Sequence, residues 1–380
     1  AAAQADAPLL QRRAQRFHLP VQAYGVKKFP FFPVQQPRTV IYRRPASAQL
    51  FASRRSALLR RLKRLAALAT LAGASVGALA AYPERPITLV IPFSPGGSSD
   101  NVGRAMAPLL GDKLGQSIVV DNVGGAGGLL GTQRTVRAAP DGYTLLVGSG
   151  SEILINKIIN PKLPVDGMKD LTPVLFVATG PMVLVGRPTL APNTMAELLA
   201  YAKANPGKLS YASAGNGTPM HVAGEWLKMK GQVFMTHIPY RGASPALVDL
   251  MGGQVDLAVS TLSAALPYIR SGKVKAYGVT SSKRSDLAPD LPALGQVKAL
   301  EGLDLGVWFG LFLPAKTAPD IVQKVQTAAA QVMADPAVRK KLAEQGLAAS
   351  GASAEELRAF MAEEVRKYQR VVEAAKITAE

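Results

Sequence analysis

Short apolar runs that alternate with helical stretches across glycine-rich turns set the strongest limit on this chain. Residues 87–93, Ile-Thr-Leu-Val-Ile-Pro-Phe, read as a buried strand. A turn at 94–100 follows, then a helical pattern over 102–114 that stops at Gly115. The strand signal returns at 117–121 and 143–148, with a helical stretch at 130–138 between them. Repeated strand-then-helix order predicts an α/β fold with a doubly wound sheet. After a strand at 182–186 the alternation restarts, with helices at 194–204, 219–230 and 244–251. Strands at 209–212, 234–240 and 255–259 lie between and after them. A restarted pattern predicts a second lobe. An apolar run at 305–312 precedes Pro314. Two helical regions close the chain: 317–346, broken at Asp335-Pro336, and one opened by the capping box Ser353-x-x-Glu356.

Charge is unevenly placed. Residues 1–80 carry 14 of the 44 Lys and Arg and a single acid, Asp6, so +13 of the net +18 sits there. The other 300 residues hold +5, which is ordinary for a globule and argues against nucleic-acid binding. Arg60-Arg61-Leu62-Lys63-Arg64, the uncharged 65–80 and Ala78-Leu79-Ala80 supply the three parts of an export signal. The signal is expected to span 53–80, with a mature start at Ala81 and a periplasmic destination. A membrane anchor over 65–82 is the alternative, but the stretch is short and weakly apolar. Ser53-Arg54-Arg55-Ser56-Ala57-Leu58 resembles a twin-arginine signal, with Ala57 where a large apolar residue is usual, so Sec and twin-arginine export both stay open. Residues 1–52 fit neither signal nor domain. They are expected to be upstream sequence or a disordered tail.

Chemistry must come from the loops. Pro95-Gly96-Gly97-Ser98-Ser99-Asp100 stands between a strand and a helix, and so does Ser213-Ala214-Gly215-Asn216-Gly217-Thr218-Pro219. Glycine lets backbone approach a ligand, and the first N–H groups of a helix point outward with its dipole, which suits an anion. One such loop per lobe can hold a carboxylate without arginine. Ala126-Gly127-Gly128-Leu129-Leu130-Gly131 only nearly matches a dinucleotide fingerprint, and no P-loop is present. The absence of cysteine excludes disulfides, zinc–thiolate sites and a cysteine nucleophile. No zincin or nucleophile-elbow motif occurs. Past residue 80 the histidines are His221, near the second loop, and His237, in a strand. No enzyme activity, metal or cofactor is therefore expected. A hydrolase using Ser213 with His221 is the rival reading, and a sensory receptor for a membrane kinase is another.

Taken in order, these residues resemble the Bug family, the periplasmic solute-binding receptors of tripartite tricarboxylate transporters. The resemblance runs from Tyr82 to Glu380. It rests on Tyr82-Pro83-x-Arg85-Pro86-Ile87, on Val90-Ile91-Pro92-Phe93-x-Pro95-Gly96-Gly97-x-x-Asp100 and on Gly125-Ala126-Gly127-Gly128 with Gly131. Further matches are Asp141-Gly142-Tyr143-Thr144-Leu145-Leu146, Tyr211-Ala212-Ser213-x-Gly215-x-Gly217-Thr218 with His221, Ile238-Pro239-Tyr240-Arg241-Gly242 and Trp308-Phe309-Gly310. Val123-Gly124 departs from the usual Arg-Pro after Asn122, and Lys316-Thr317-Ala318 from the usual Gly-Thr-Pro.

The resemblance implies a two-lobe clamshell of the periplasmic binding protein type II kind, one lobe from 81–182 with 305–380 and the other from 183–304. It implies a monomer that captures a small carboxylate, with membrane transporter subunits as partners and no nucleic acid. Its implied ligand shell takes Pro95, Gly96, Gly97, Ser98, Asp100, Gly148, Ser149 and Ser151 from one lobe. The other lobe gives Ala214, Gly215, Asn216, Gly217, Thr218, His221, Gly242, Ala243, Ser244 and Ser260, with Arg241 and Thr261 nearby. Arg241 and Lys283 are candidates for a second carboxylate.

Overall fold

The structure, a computed structural model, describes residues 82–378. The expected export signal and the extension before it lie outside the described residues.

In chain order the first elements are β1 (Ile87–Ile91), α1 (Ser98–Leu114), β2 (Ile118–Asn122), a 3₁₀ turn (Ala126–Gly128), α2 (Leu129–Val136) and β3 (Thr144–Ser149). A π-helical turn (Ser151–Ile155), α3 (Asn156–Ile159), α4 (Gly167–Asp170) and β4 (Leu171–Gly186) follow. Next come α5 (Met195–Ala204), β5 (Ser210–Ser213), α6 (Pro219–Gly231), β6 (Thr236–Pro239), α7 (Ala243–Met251), β7 (Leu257–Thr261), α8 (Leu262–Arg270) and β8 (Lys275–Val279). The last are β9 (Gly306–Pro314), α9 (Pro319–Ala334), α10 (Pro336–Glu344), β10 (Ala348–Ala349) and α11 (Ala354–Ala374).

Local chemistry accounts for these boundaries. Leu89, Val90 and Ile91 of β1 are fully buried, as a strand covered on both faces by helices must be. Val102, Met106 and Leu110 stripe the inner face of α1 at helical spacing, and Gly115 ends it in a left-handed conformation at φ 75°. Asp335 caps α10 through Ala337 and Val338 N–H, and the Ser353–Glu356 capping box opens α11.

The strand order is β2-β1-β3-β9-β4-β7-β5-β6. β1 runs parallel to β2 and β3, and β5 runs parallel to β6 and β7. β9 is antiparallel to both neighbours, so the sheet is mixed. Residues 171–181 of β4 pair with β9, whereas Met182–Gly186 pair with β7 and β8. One long strand thus joins the two halves of the mixed sheet.

Here the structure corrects the sequence reading. The strand expected at 182–186 begins at Leu171. Pro173, Gly180 and Pro181 hid its first part, because proline removes a ladder donor and argues against a central strand. The fold takes Pro173 beside a register shift against β9. The strands expected at 234–240 and 255–259 lie at 236–239 and 257–261, and β8 was not foreseen.

Candidate functional site

Three helix starts converge on one narrow cavity of about 30 Å³, well below the roughly 300–1,000 Å³ of small-ligand sites. α1 supplies Gly97, Ser98 and Ser99, α6 supplies Thr218, Pro219 and Met220, and α7 supplies Ala243. Ser149 closes the polar side, at the end of β3, and Ala214 lies at the end of β5. Phe93, Val307 and Phe309 form the apolar wall.

The N-termini of α1 and α7 share an unusual feature. Their caps are Gly97 and Gly242, and neither helix has a side-chain cap bond. Their first N–H groups are therefore offered to whatever enters the cavity, with both dipoles favouring negative charge. Two hydroxyls, Ser244 Oγ and Ser260 Oγ, are buried without a hydrogen-bond partner among the described residues. A buried hydroxyl left unpaired costs about 1–3 kcal/mol; Ser244 adjoins the cavity residue Ala243 in α7, whereas Ser260 lies in β7 outside the lining.

The two sides of the cleft touch. Ser94 Oγ donates to Arg241 O at 3.0 Å, Ser151 Oγ to Gly217 O at 3.1 Å, and Asn101 Nδ2 to Ser263 Oγ at 3.0 Å. The one Ser151 hydroxyl hydrogen is shared with Gly127 O, the nearer acceptor at 2.6 Å, so one buried hydroxyl lies between three loops.

Asp100 braces the first loop. Its carboxylate accepts from Gly96 N, Arg104 Nε and Asn122 Nδ2 at 2.9–3.0 Å. Burial works to raise its pKa, but those bonds together outweigh it and hold the carboxyl below its usual value. A lowered pKa stabilises the fold above the ordinary carboxylate range, and that support is lost as pH falls through the folded value. Asp100→Ala is therefore expected to loosen the loop, weaken ligand binding about tenfold, and blunt the acid end of the stability profile. Calorimetry and acid denaturation check this, and unchanged affinity would remove Asp100 from loop positioning.

The remaining expected residues fall in distinct places. Gly97, Ser98, Ser149, Ala214, Thr218 and Ala243 come together in the cavity. Pro95 and Gly96 are exposed at the rim, with Gly96 against Ser244 Oγ. Gly148 lies under the Phe312 ring, where a Cβ would come within 2.7 Å, and does not line the cavity. Gly215 and Gly217 make the loop's left-handed turns, at φ 129° and 70°. Asn216 is exposed, and its carbonyl abuts Gly127. His221 Nδ1 accepts from Gly217 N at 3.3 Å, which fixes the loop to its own helix. Arg241 turns its carbonyl to Ser94, and Lys283 lines a separate groove with Arg284 and Asp304. Phe93, Ser99, Pro219, Met220, Val307 and Phe309 were missed as wall residues. Their positions beside the two loops and on the apolar run were the available signal.

Ser213, which the rival reading joins to His221, has another histidine as a partner. Ser213 Oγ meets His237 Nε2 at 2.7 Å, and the His237 ring stacks on His221 with centroids 4.3 Å apart. Burial first, then the neighbouring His221 and Lys228, push the His237 pKa down to about 3. Ser213 is itself fully buried, so this pair is a packed hydrogen bond inside the lobe. Among the described residues no cluster of His, Asp and Glu is placed to hold a metal ion.

A model of the tripartite tricarboxylate transporter family receptors matches residues 102–377. BugT of Bordetella pertussis is 36% identical over 292 residues, 77% of this chain and 89% of that protein. MatC from Rhodopseudomonas palustris, solved with bound malate, is 34% identical, with a TM-score of 0.73 over 77% of this chain and 100% of that one. A second R. palustris protein, solved with adipate, is 30% identical, with a TM-score of 0.75 over 78% of this chain and 99% of that one.

Proposed function

Because the chain belongs to the tripartite tricarboxylate transporter receptor family, a family of periplasmic solute-binding proteins, we propose that it captures a small dicarboxylate between its lobes. It then presents that ligand to the membrane subunits of such a transporter. The observation that carries the reading is the meeting of two glycine-capped helix N-termini, of α1 and α7, on one cavity. Backbone N–H groups, the Ser244 hydroxyl and Ser149 hold the carboxylate, and Phe93 and Phe309 cover the carbon chain. Malate and adipate, seen in two relatives, set the ligand class to try first.

In this reading one lobe comprises 82–182 with 305–378 and the other 183–304, and ligand favours their closed arrangement over an open one. The protein is a non-catalytic monomer delivered to the periplasm by the signal at 53–80. Among the described residues no helix is long and apolar enough to cross a membrane.

Thermal shift against malate, adipate, citrate and neutral analogues tests the proposal, using protein freed of carried-over ligand by unfolding and refolding. A ligand at 100 times its dissociation constant adds about 2.7 kcal/mol, a rise of several degrees. Selective stabilisation by one or more of the acids is expected. Cooperative melting unmoved by every acid would overturn the carboxylate assignment.

A further inference from the structure

Glu152 is an acid buried beside an anion site. It sits in the π-helical turn Ser151–Ile155, just after Ser149 and Ser151, and it is 3% exposed. Its Oε1 accepts from Ser149 N, and its Oε2 accepts from Ser149 Oγ at 2.8 Å. Its carboxylate also lies against Gly128, where an added Cβ would meet Oε2 and the Phe93 ring. Ser149 and Phe93 both line the cavity, so the carboxylate stands directly behind the ligand's wall. While Glu152 is ionised, both donors of Ser149 are turned backward onto it, and a negative charge faces the place where a second must bind.

We infer that Glu152 takes up one proton as the anion enters, and by doing so releases the Ser149 hydroxyl to donate to the ligand. The inference rests on the dicarboxylate reading of the cavity. The proton comes from solvent and binds Oε2, the oxygen that faces Ser149 Oγ. The new Oε2–H then donates to Ser149 Oγ. The serine hydrogen, no longer accepted by Glu152, turns to a ligand oxygen. Oε1 keeps its bond from Ser149 N. One added proton cancels the Glu152 charge, so of the dianion's two carboxylates the one at Ser149 is not buried against a second negative group.

The surroundings favour this over a fixed ion pair. Burial pushes the Glu152 pKa up to about 7, against the lowering effect of its hydrogen bonds with backbone N–H and the Ser149 hydroxyl, and no charged side chain contributes. Of the elements packed on the π-helical turn, β3 and the 3₁₀ turn carry no titratable group. α3 brings Lys157, whose Nζ goes to Leu163 O. α4 brings Lys169 and Asp170, and with its cap Asp166 they bond among themselves. α11 brings Glu373 to the groove beside Ile153 and Leu154, while its Glu364 and Lys367 pair with each other.

The test is calorimetric titration with malate in buffers of different ionisation enthalpy, from about pH 6 to about pH 8, a range over which malate stays a dianion. The wild type is expected to take up close to one proton per malate at the alkaline end. Its affinity should fall about tenfold per pH unit above neutrality. Glu152→Gln keeps a donor toward Ser149 Oγ, so it should bind without proton uptake and with a flat pH profile, about tenfold tighter than wild type near pH 8. Ser149→Ala should weaken binding at every pH. Equal proton uptake in wild type and Glu152→Gln would overturn the inference, as would none in the wild type. If malate does not bind at any pH, the dicarboxylate reading fails for malate, and Glu152 is still decided without ligand. Carbon-13 titration should show a glutamate carboxyl ionising near neutrality, absent from Glu152→Gln and tracked by the Ser149 amide. Without that signal the inference falls.

Discussion

Gly127→Ala lowers carboxylate affinity by about 100-fold, while the unliganded protein loses only about 1–2 kcal/mol of stability, the cost of a left-handed alanine. Gly127 sits at φ 58°, and a Cβ there would overlap the carbonyl oxygen of Asn216 on the opposite lobe. That obstacle is backbone, so no rotamer change clears it. Relief requires the cleft to open, which breaks the Ser151–Gly217 and Ser94–Arg241 bonds. Two to three such bonds at about 0.5–1.5 kcal/mol each amount to about 2–3 kcal/mol, or roughly two decades in affinity. Gly253→Ala is the matched control. Gly253 is also left-handed, at φ 75°, but an added Cβ would meet nothing within 4 Å, so that variant should lose similar stability and close normally. Calorimetry on both variants, with denaturation of the unliganded forms, separates closure from stability. Wild-type affinity in Gly127→Ala would mean that the ligand binds without this closed contact.

The largest stability effect is expected at Trp308. Trp308→Ala should cost about 3–5 kcal/mol, read as a fall in urea midpoint at constant slope. The side chain is 1% exposed and fills the space between β9, the π-helical turn and α11, with the Phe360 ring edge-on at 5.9 Å. Its loss leaves a cavity that strands on both sides cannot close, because they are tied into the ladder. The indole N–H has no hydrogen-bond partner among the described residues. Trp308→Phe therefore gives up packing alone and should cost about half as much or less. A larger penalty for phenylalanine would reveal a bond that the geometry does not contain.

Much of this was legible because local and tertiary signals agree. The β1 and β5 runs are apolar and are followed by glycine-rich loops, so strand, turn and helix start were all written in adjacent residues. The same loops carry four of the cavity residues expected from sequence, Gly97, Ser98, Ala214 and Thr218. Legibility failed where tertiary pairing overrode local signals. Pro173 and Pro181 lie inside β4, which is held by β9 on one side rather than by its own propensity. Gly148 precedes the cavity residue Ser149 in β3, so strand alternation turns it under Phe312, and Ser151 opens the π-helical turn, which sends it onto Gly127 O. Glu152 had a signal that passed unread: a lone acid followed by Ile153, Leu154 and Ile155.

The position of β9 has a consequence for the order in which the molecule can be completed. β9 is inserted between β3 and β4, yet it is the last long strand to leave the ribosome. Until Gly306–Pro314 emerge, β3 presents an unpaired edge and β4 lacks its longest neighbour. Such an edge invites pairing with another chain, and closing a gap of this length is slow. The nascent first half thus cannot settle early into its final sheet. A polypeptide kept from finishing until its last fifth arrives stays threadable, and a holding chaperone has a long interval in which to engage it.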